Sequence, residues 1–314
     1  MKGTIDSPAA KYIDLHTHTV HSDGALTPTQ LVQRAKEVGL SAIAISDHEN
    51  TEGIDEAKKT AKKFGIEIVS AVEVTSYPDP LTEHHMLGYF IDYKSKILQK
   101  ALRGIRDLRE KRAKKVIDNL NSLDYSINFG DVKALAQGTI VQPHIAWVVI
   151  TDPQNREKLQ KEFGFLPNTG DFIRKYLVPG APAYESRKAL KPKEAVELIH
   201  KVGGVAVFAH PCWTAATKKG GKLIFDDKKF EQVVKAGIDG VEALAHRENE
   251  EDTRNCVDHF TALAKKHKLA ITGGSDYHGF GSAGKELGFQ NFYLKVPYQV
   301  LEELKSRIGK SSKF

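Results

Sequence analysis

The chain has 314 residues, with 46 Lys plus Arg against 40 Asp plus Glu and a formal charge of +6. Apolar residues at 40% and charged residues at 27% suit a globular chain and exclude a disordered or fibrous one. The length accommodates two domains or a single α/β barrel. No apolar run approaches the ~18–20 residues of a membrane span, and Met1 to Lys11 has no continuous apolar core of a secretory signal. Cys212 and Cys256 are too few for a disulfide framework, so a reducing cytoplasm is expected. The mild basic excess is compatible with anionic ligands and demands none.

In chain order, Tyr12 to Leu15 predicts a strand that runs into His16-Thr17-His18. Thr27 as N-cap and Pro28 open a helix with Leu31, Ala35 and Val38 on its apolar stripe, ending at Gly39. Ala42 to Ile45 is a strand followed by Asp47-His48, and a helix from Glu52 to Phe64 stops at Gly65. Ile66 to Val69 is a strand with Glu73 just beyond, and Met86 to Phe90 is another, entered through His84-His85. The second half repeats the rhythm. The helix Pro192 to Val202 precedes the strand Val205 to Ala209 and His210. The helix Phe230 to Ala236 precedes Gly240 to Leu244 and His246. The helical stretch Glu248 to His267 precedes Leu269 to Thr272, then Gly274-Ser275-Asp276-Tyr277-His278. Repeated βα units predict a parallel sheet in a closed or nearly closed barrel, with its active site at the C-terminal strand ends.

Between Lys94 and Gly180 the rhythm breaks. Ile97 to Leu123 reads as one long charged helix, and Asp131 to Ala136, Pro143 to Ile150, Arg156 to Phe163 and Asp171 to Tyr176 as shorter ones. The expected organisation is a barrel over 12–95 and 181–314 carrying the site, and an all-helical insertion over 96–180 capping the substrate.

Of the 13 histidines, several fall at or just past strand ends. In extended chain His16 and His18 point the same way and can grip one cation, with Asp23 close behind. Asp276 and His278 repeat that spacing. Adding His48, Glu73, one of His84 and His85, and His210 gives nine imidazole and carboxylate candidates, a donor set suited to Mn, Zn or Fe. So many donors fit two or three cations bridged by Glu73, a device that activates water and clamps both oxygens of an in-line displacement at phosphorus.

The stretches Asp14-Leu15-His16-Thr17-His18-Thr19, His21-Ser22-Asp23-Gly24, Ser46-Asp47-His48, Glu73, His85 before Met86 to Phe90, Ala209-His210-Pro211 and Gly274 to His278 together resemble the polymerase and histidinol phosphatase (PHP) domain family. Gln142-Pro143-His144-Ile145-Ala146 and Lys175 to Tyr184 are similar to its stand-alone phosphoesterase subgroup. The resemblance implies a distorted (β/α)7 barrel with a trinuclear site held by His16, His18, Asp23, His48, Glu73, His85, His210, Asp276 and His278; His84 takes the place of His85 if the register slips by one. It also implies hydrolysis of a phosphate monoester or terminal phosphodiester by metal-activated water, with a nucleoside 3′,5′-bisphosphate or short RNA 5′ end as substrate and no obligate protein partner. Asp276 or His278 would assist proton transfer. Glu49-Asn50 stands where the family often has Asp-Thr, and Gln142 where it often has Arg, which bears on the substrate.

Lys111, Arg112, Lys114 and Lys115 form a basic cluster on the long helix, read either as a solvated face or as a phosphate clamp; the resembling subgroup, whose basic residues on this helix reach the substrate, implies Lys111 and Arg112 as the clamp, with His144 as a further contact. Arg187 is an anion contact by position, and Trp213 a base or sugar contact near the mouth. The glycine-rich run Gly279 to Lys285 lacks the Ser/Thr of a P-loop, because Glu286 stands there, and reads as a loop beside the site. Three other readings compete: a histidinol-phosphate-type phosphatase, a metal-dependent amidohydrolase and a non-catalytic nucleic-acid-binding module.

Overall fold

The computed structural model describes residues 11–79, 82–186, 190–279, 286–289 and 294–309. Arg187, the run 280–285 and the tail 310–314 lie outside them. The elements in chain order are β1 (Tyr12–Asp14), α1 (Pro28–Glu37), β2 (Leu40–Ile45), α2 (Gly53–Phe64), β3 (Glu67–Asp79), β4 (Thr82–Tyr89) and α3 (Lys96–Ser122). The short helices α4 (Phe129–Leu135), α5 (Gln142–Thr151), α6 (Arg156–Phe163) and α7 (Thr169–Tyr176) follow. Then come α8 (Pro192–Lys201), β5 (Val205–Phe208), α9 (Pro211–Thr214), β6 (Ala216–Lys219), β7 (Lys222–Phe225), α10 (Asp227–Val234), β8 (Gly240–Leu244), α11 (Glu250–Lys266), β9 (Ala270–Gly273), β10 (Val296–Pro297) and α12 (Gln299–Lys305).

Local chemistry sets many boundaries. Thr27 and Gln30 form a reciprocal capping box with Pro28 at the first helical position of α1, and Gly65 ends α2 at φ 68°. Gly220 and Gly221, at φ 57° and 80°, make the two-residue turn of the β6–β7 hairpin, which has no counterpart in the strand expectations.

Eight strands form one sheet in the order β10-β1-β2-β3-β4-β5-β8-β9. The Leu15 N–H donates to the Gly273 carbonyl at 3.2 Å and the Tyr277 N–H to the His16 carbonyl at 3.2 Å, so the ends of β1 and β9 meet and the sheet nearly closes. The all-parallel expectation needs correction. β4 runs antiparallel between β3 and β5, because β3 continues far past its pairing with β2 and turns back directly. The reversal has a consequence for the site: β4 begins at the face where the other barrel strands end.

Side-chain alternation sorts the core. Ile13, Leu15, Ala42, Ala44, Val69, Ala71, Leu87, Tyr89, Val205 and Val207 fill the barrel interior, joined by Leu301 and Leu304 of α12. Ile43 and Ile45 face α1 and α2, and Val72, Val74, Met86 and Phe208 face α8 and α10. The helices α4 to α7 have their own apolar cluster, centred on Val132, Ile145, Val149, Phe172 and Tyr176. Helix α3 serves both: Leu98, Leu102 and Ile105 pack on the barrel, whereas Ala113, Val116, Ile117 and Leu120 pack on the helical cluster. Cys212 and Cys256, read from sequence as too few for a disulfide framework, are paired as a disulfide, with α9 and α11 bringing their Cα atoms to 5.8 Å across 44 residues. No described helix is long and apolar enough to cross a membrane.

Candidate metal centre

Glu73 and His85 follow from the barrel interior by strict alternation. Val69, Ala71 and Glu73 share one face of β3, and Tyr89, Leu87 and His85 share the facing side of β4, so carboxylate and imidazole crown the interior core. The His85 Nδ1 lies 2.8 Å from Glu73 Oε1. His84 falls on the opposite face with Met86, buried against Phe208. The register therefore brings His85, and not His84, to the cluster.

All nine candidate ligands converge. Glu73 is fully buried; its Oε2 is 3.2 Å from the Nε2 atoms of His16 and His18 and 3.1 Å from His48 Nδ1, while its Oε1 is 3.2 Å from His210 Nε2. Asp276 Oδ1 lies 3.4 Å from His16 Nε2 and 3.2 Å from His18 Nε2. Asp23 Oδ1 lies 3.7 Å from His18 Nδ1, 3.9 Å from His48 Nε2 and 3.3 Å from His278 Nε2. Three compact groups result, His18/Asp23/His48/His278, His16/His18/Glu73/Asp276 and His48/Glu73/His85, linked through His18, His48 and Glu73.

The donor set fits divalent cations on two observations. His16 Nε2, His18 Nε2, Asp23 Oδ1, His48 Nδ1, Glu73 Oε2 and His210 Nδ1 are buried with no hydrogen-bond partner, and buried polar atoms of that kind ordinarily have one. The local field also invites positive charge. Burial opposes protonation of His18 and His85, yet neighbouring carboxylates push both up to about 10; burial holds His48 down, to about 4. Burial likewise disfavours ionised Glu73 and Asp23, but the surrounding imidazoles hold both well below the usual carboxylate range.

The backbone is forced to serve this cluster. His210 and Asp276 sit at φ 29° and 52°, a region costly for side chains other than glycine. Gly274 leaves room for β1: a Cβ there would lie 2.4 Å from the His16 nitrogen. His278 Nδ1 donates to the Asp276 carbonyl at 2.8 Å, which turns Nε2 towards Asp23 Oδ1, 3.3 Å away.

Several supporting residues escaped the sequence reading. Glu242, buried on β8, lies 3.1 Å from His16 Nδ1 through either oxygen and accepts the His210 N–H at 2.8 Å. Such a carboxylate fixes the tautomer and orientation of a metal-binding imidazole. Its signal was a lone charge inside the apolar run Gly240 to Leu244. Asp47 accepts from the Thr19 N–H and hydroxyl and from Ser22, folding the loop that carries Asp23. Asp14 accepts from Ser275 and Gly288, tying β1 to the segment that carries Asp276.

The basic cluster on α3 divides. Lys111, Arg112 and Lys115 line a 250 Å³ cavity with Thr75, Tyr77, Arg109 and Glu185, beginning two residues beyond Glu73 on β3. Lys114 instead lies over the Phe129 ring, on the helical core side. Arg112 donates through Nε to the Glu185 carbonyl at 2.8 Å. His144 is buried, and its Nδ1 accepts the Val141 N–H at 3.3 Å, so the neutral ring carries its proton on Nε2. Burial lowers its pKa, with Asp23 close enough to act against that. Thr139 donates to the His21 carbonyl at 3.0 Å and Asn50 joins the same oxygen, seating the helical segment on the loop that carries Asp23. Trp213 is half-exposed past His210, with its ring against the Arg247 guanidinium at 3.8 Å.

Fold and site together define an α/β barrel with a histidine and carboxylate cluster of metal-binding type at its mouth. The PHP domain model matches residues 14–108. A 5′-3′ exoribonuclease of Haemophilus influenzae is 33% identical over 91% of this chain and 98% of its own length. A 3′,5′-nucleoside bisphosphate phosphatase of Chromobacterium violaceum is 29% identical over 94% of this chain and 97% of its own. Among solved structures, one described as a metal-dependent phosphoesterase from Bifidobacterium adolescentis superposes with a TM-score of 0.75 at 27% identity, covering 96% of this chain and 98% of that one. The chain belongs to the PHP domain family.

Proposed function

We propose that the protein is a metal-dependent phosphoesterase that acts on a nucleotide-like substrate, a nucleoside 3′,5′-bisphosphate or the 5′ end of a short RNA. The observation that carries this reading is the convergence of five imidazoles on one buried carboxylate, Glu73, beside a cation-lined cavity. The nine ligands are His16, His18, Asp23, His48, Glu73, His85, His210, Asp276 and His278, holding two or three Mn, Zn or Fe ions. Bound there, the cations supply a water acidified towards a pKa of ~7 and positive charge for the phosphoryl oxygens.

The chain's own residues do the rest. Glu242 holds the His16 ring with its Nε2 turned to the cluster. Lys111 and Arg112 bring cationic charge to the phosphate, and the neutral His144 offers its Nε2–H. The cavity between β3 and α3 takes the nucleoside. Segment 96–180 acts as the cap over it, and Asp276 and His278 serve first as ligands. The names of the two curated relatives, one acting on RNA and one on a bisphosphate nucleotide, favour this substrate class over a small metabolite.

The test is a phosphate-release screen of Mn-reconstituted protein against nucleoside 3′,5′-bisphosphates, 5′-phosphorylated short RNAs, histidinol phosphate, and amide and lactone controls. Turnover of the first two groups is expected. Preferred histidinol phosphate, or amide cleavage without phosphate release, would replace this reading with one of its competitors.

A further inference from the structure

We propose that Glu49 is a positioning residue that, through Arg109, fixes helix α3 against the metal-binding loop and so sets where the α3 cations meet a phosphorylated substrate. The residue follows His48 directly and is fully buried, at φ 45° in the left-handed region. Both its backbone and its side chain are engaged. Its N–H donates to the Glu73 carbonyl at 2.9 Å, and its own carbonyl accepts from Arg106 Nη1 at 2.6 Å. Its Oε1 accepts the Thr75 N–H at 2.8 Å, and its Oε2 pairs with Arg109 Nε at 2.7 Å. Arg109 Nη2 in turn donates to the Thr75 hydroxyl at 2.6 Å, closing a ring between β3, the β2–α2 loop and α3.

The location on α3 gives the ring its meaning. Arg109 falls where the helix leaves the barrel core after Ile105 and enters the helical core at Ala113. Among the described residues, none of positions 106–112 belongs to either apolar cluster. Arg109 precedes Lys111 and Arg112 by two and three residues, within one turn, so any shift at the anchor moves both. As mere glue, a buried ion pair built on a strained backbone is a poor choice, because desolvating both charges offsets most of their attraction. What an apolar pair could not supply is one side chain holding two fixed partners, Glu49 by charge and Thr75 by a hydrogen bond.

The inference rests on the proposed phosphoesterase reading for its kinetic consequence but not for its structural one, and the test has two arms. Amide hydrogen exchange is measured on metal-free Glu49→Gln and on Glu49→Gln with Arg109→Met, which removes both charges and keeps the fold measurable if the single variant fails. Exchange over residues 106–113 is expected to accelerate about tenfold while α11 stays unchanged. In the second arm, the Mn-loaded variants are assayed with a nucleoside bisphosphate and with p-nitrophenyl phosphate, which carries no second phosphate for the α3 cations to hold. KM for the nucleotide is expected to rise about tenfold with little change in kcat for the aryl phosphate, and Glu49→Asp is expected to recover part of the loss. Unchanged exchange in α3, equal losses on both substrates, or loss of bound Mn would overturn the proposal. Absence of turnover by the parent protein would instead sink the phosphoesterase reading, and the exchange arm would still decide this one.

Discussion

Glu73 is the residue on which the centre turns, and the residues around it differ sharply in what their loss should do. Glu242 reaches the cluster only through His16 and the His210 N–H. Glu242→Gln keeps the shape and removes the charge. Its metal affinity, read by chelator competition, is expected to fall about 10–100-fold with the fold intact, as for other carboxylates behind metal-binding imidazoles. The paired histidines on β4 give a sharper contrast. His85→Ala should lose cation uptake and activity, while His84→Leu should lose neither, since His84 lies on the opposite face of β4 from the cluster and packs on Phe208. Equal metal content in both variants would mean that the strand register has been misassigned.

At the scale of elements, the helices α4 to α7 should respond to acid on their own. Tyr125 donates to Glu162 at 2.8 Å, Tyr176 donates to the same carboxylate, and Lys158 pairs with it at 2.9 Å. Burial pushes the Glu162 carboxyl up, but these donors and the Lys175 charge outweigh it and hold the group below its ordinary 4.5. A depressed folded pKa means that the stabilisation is complete above the unfolded value of 4.5 and is lost as pH falls through the folded one. Near-UV circular dichroism of the tyrosines should therefore weaken below about pH 4.5 before the barrel unfolds. Glu162→Gln should abolish that early step; its persistence in the variant would assign it elsewhere. Much of this element structure was legible beforehand. The α3 boundaries, the short helices and most barrel strands follow from apolar spacing, proline starts and glycine stops. The reversal of β4 was not, because alternation reports which face a residue occupies and says nothing of strand direction. The β6–β7 hairpin also went unread, with strands of only four residues, mostly exposed.

For the whole molecule, the cluster is a meeting of three buried or nearly buried carboxylates with imidazoles from strand ends far apart in the chain. A cation that binds only this assembled state should stabilise it, by about 2.7 kcal/mol at a hundredfold excess over its Kd. That corresponds to a rise in the thermal midpoint of roughly 4 °C. Differential scanning calorimetry with Mn and after chelation measures it, and identical midpoints would argue against a resident ion.

The sequence by itself determined which side chains could take part: imidazoles and carboxylates recurring at strand ends announce the centre, because period-two spacing and strand termini are local properties of the chain. Charge on a helix also marked the basic cluster Lys111, Arg112, Lys114 and Lys115, without saying which of them reach the site. The tertiary structure alone decided that His85 and not His84 faces Glu73, that Lys114 turns away, and that Glu242, Asp14, Asp47 and the Glu49–Arg109 pair stand behind the candidate ligands. Those outcomes depend on register and on partners between 2 and 274 residues apart. Buried carboxylates find their donors only when distant strands are brought side by side, and no local pattern encodes that meeting.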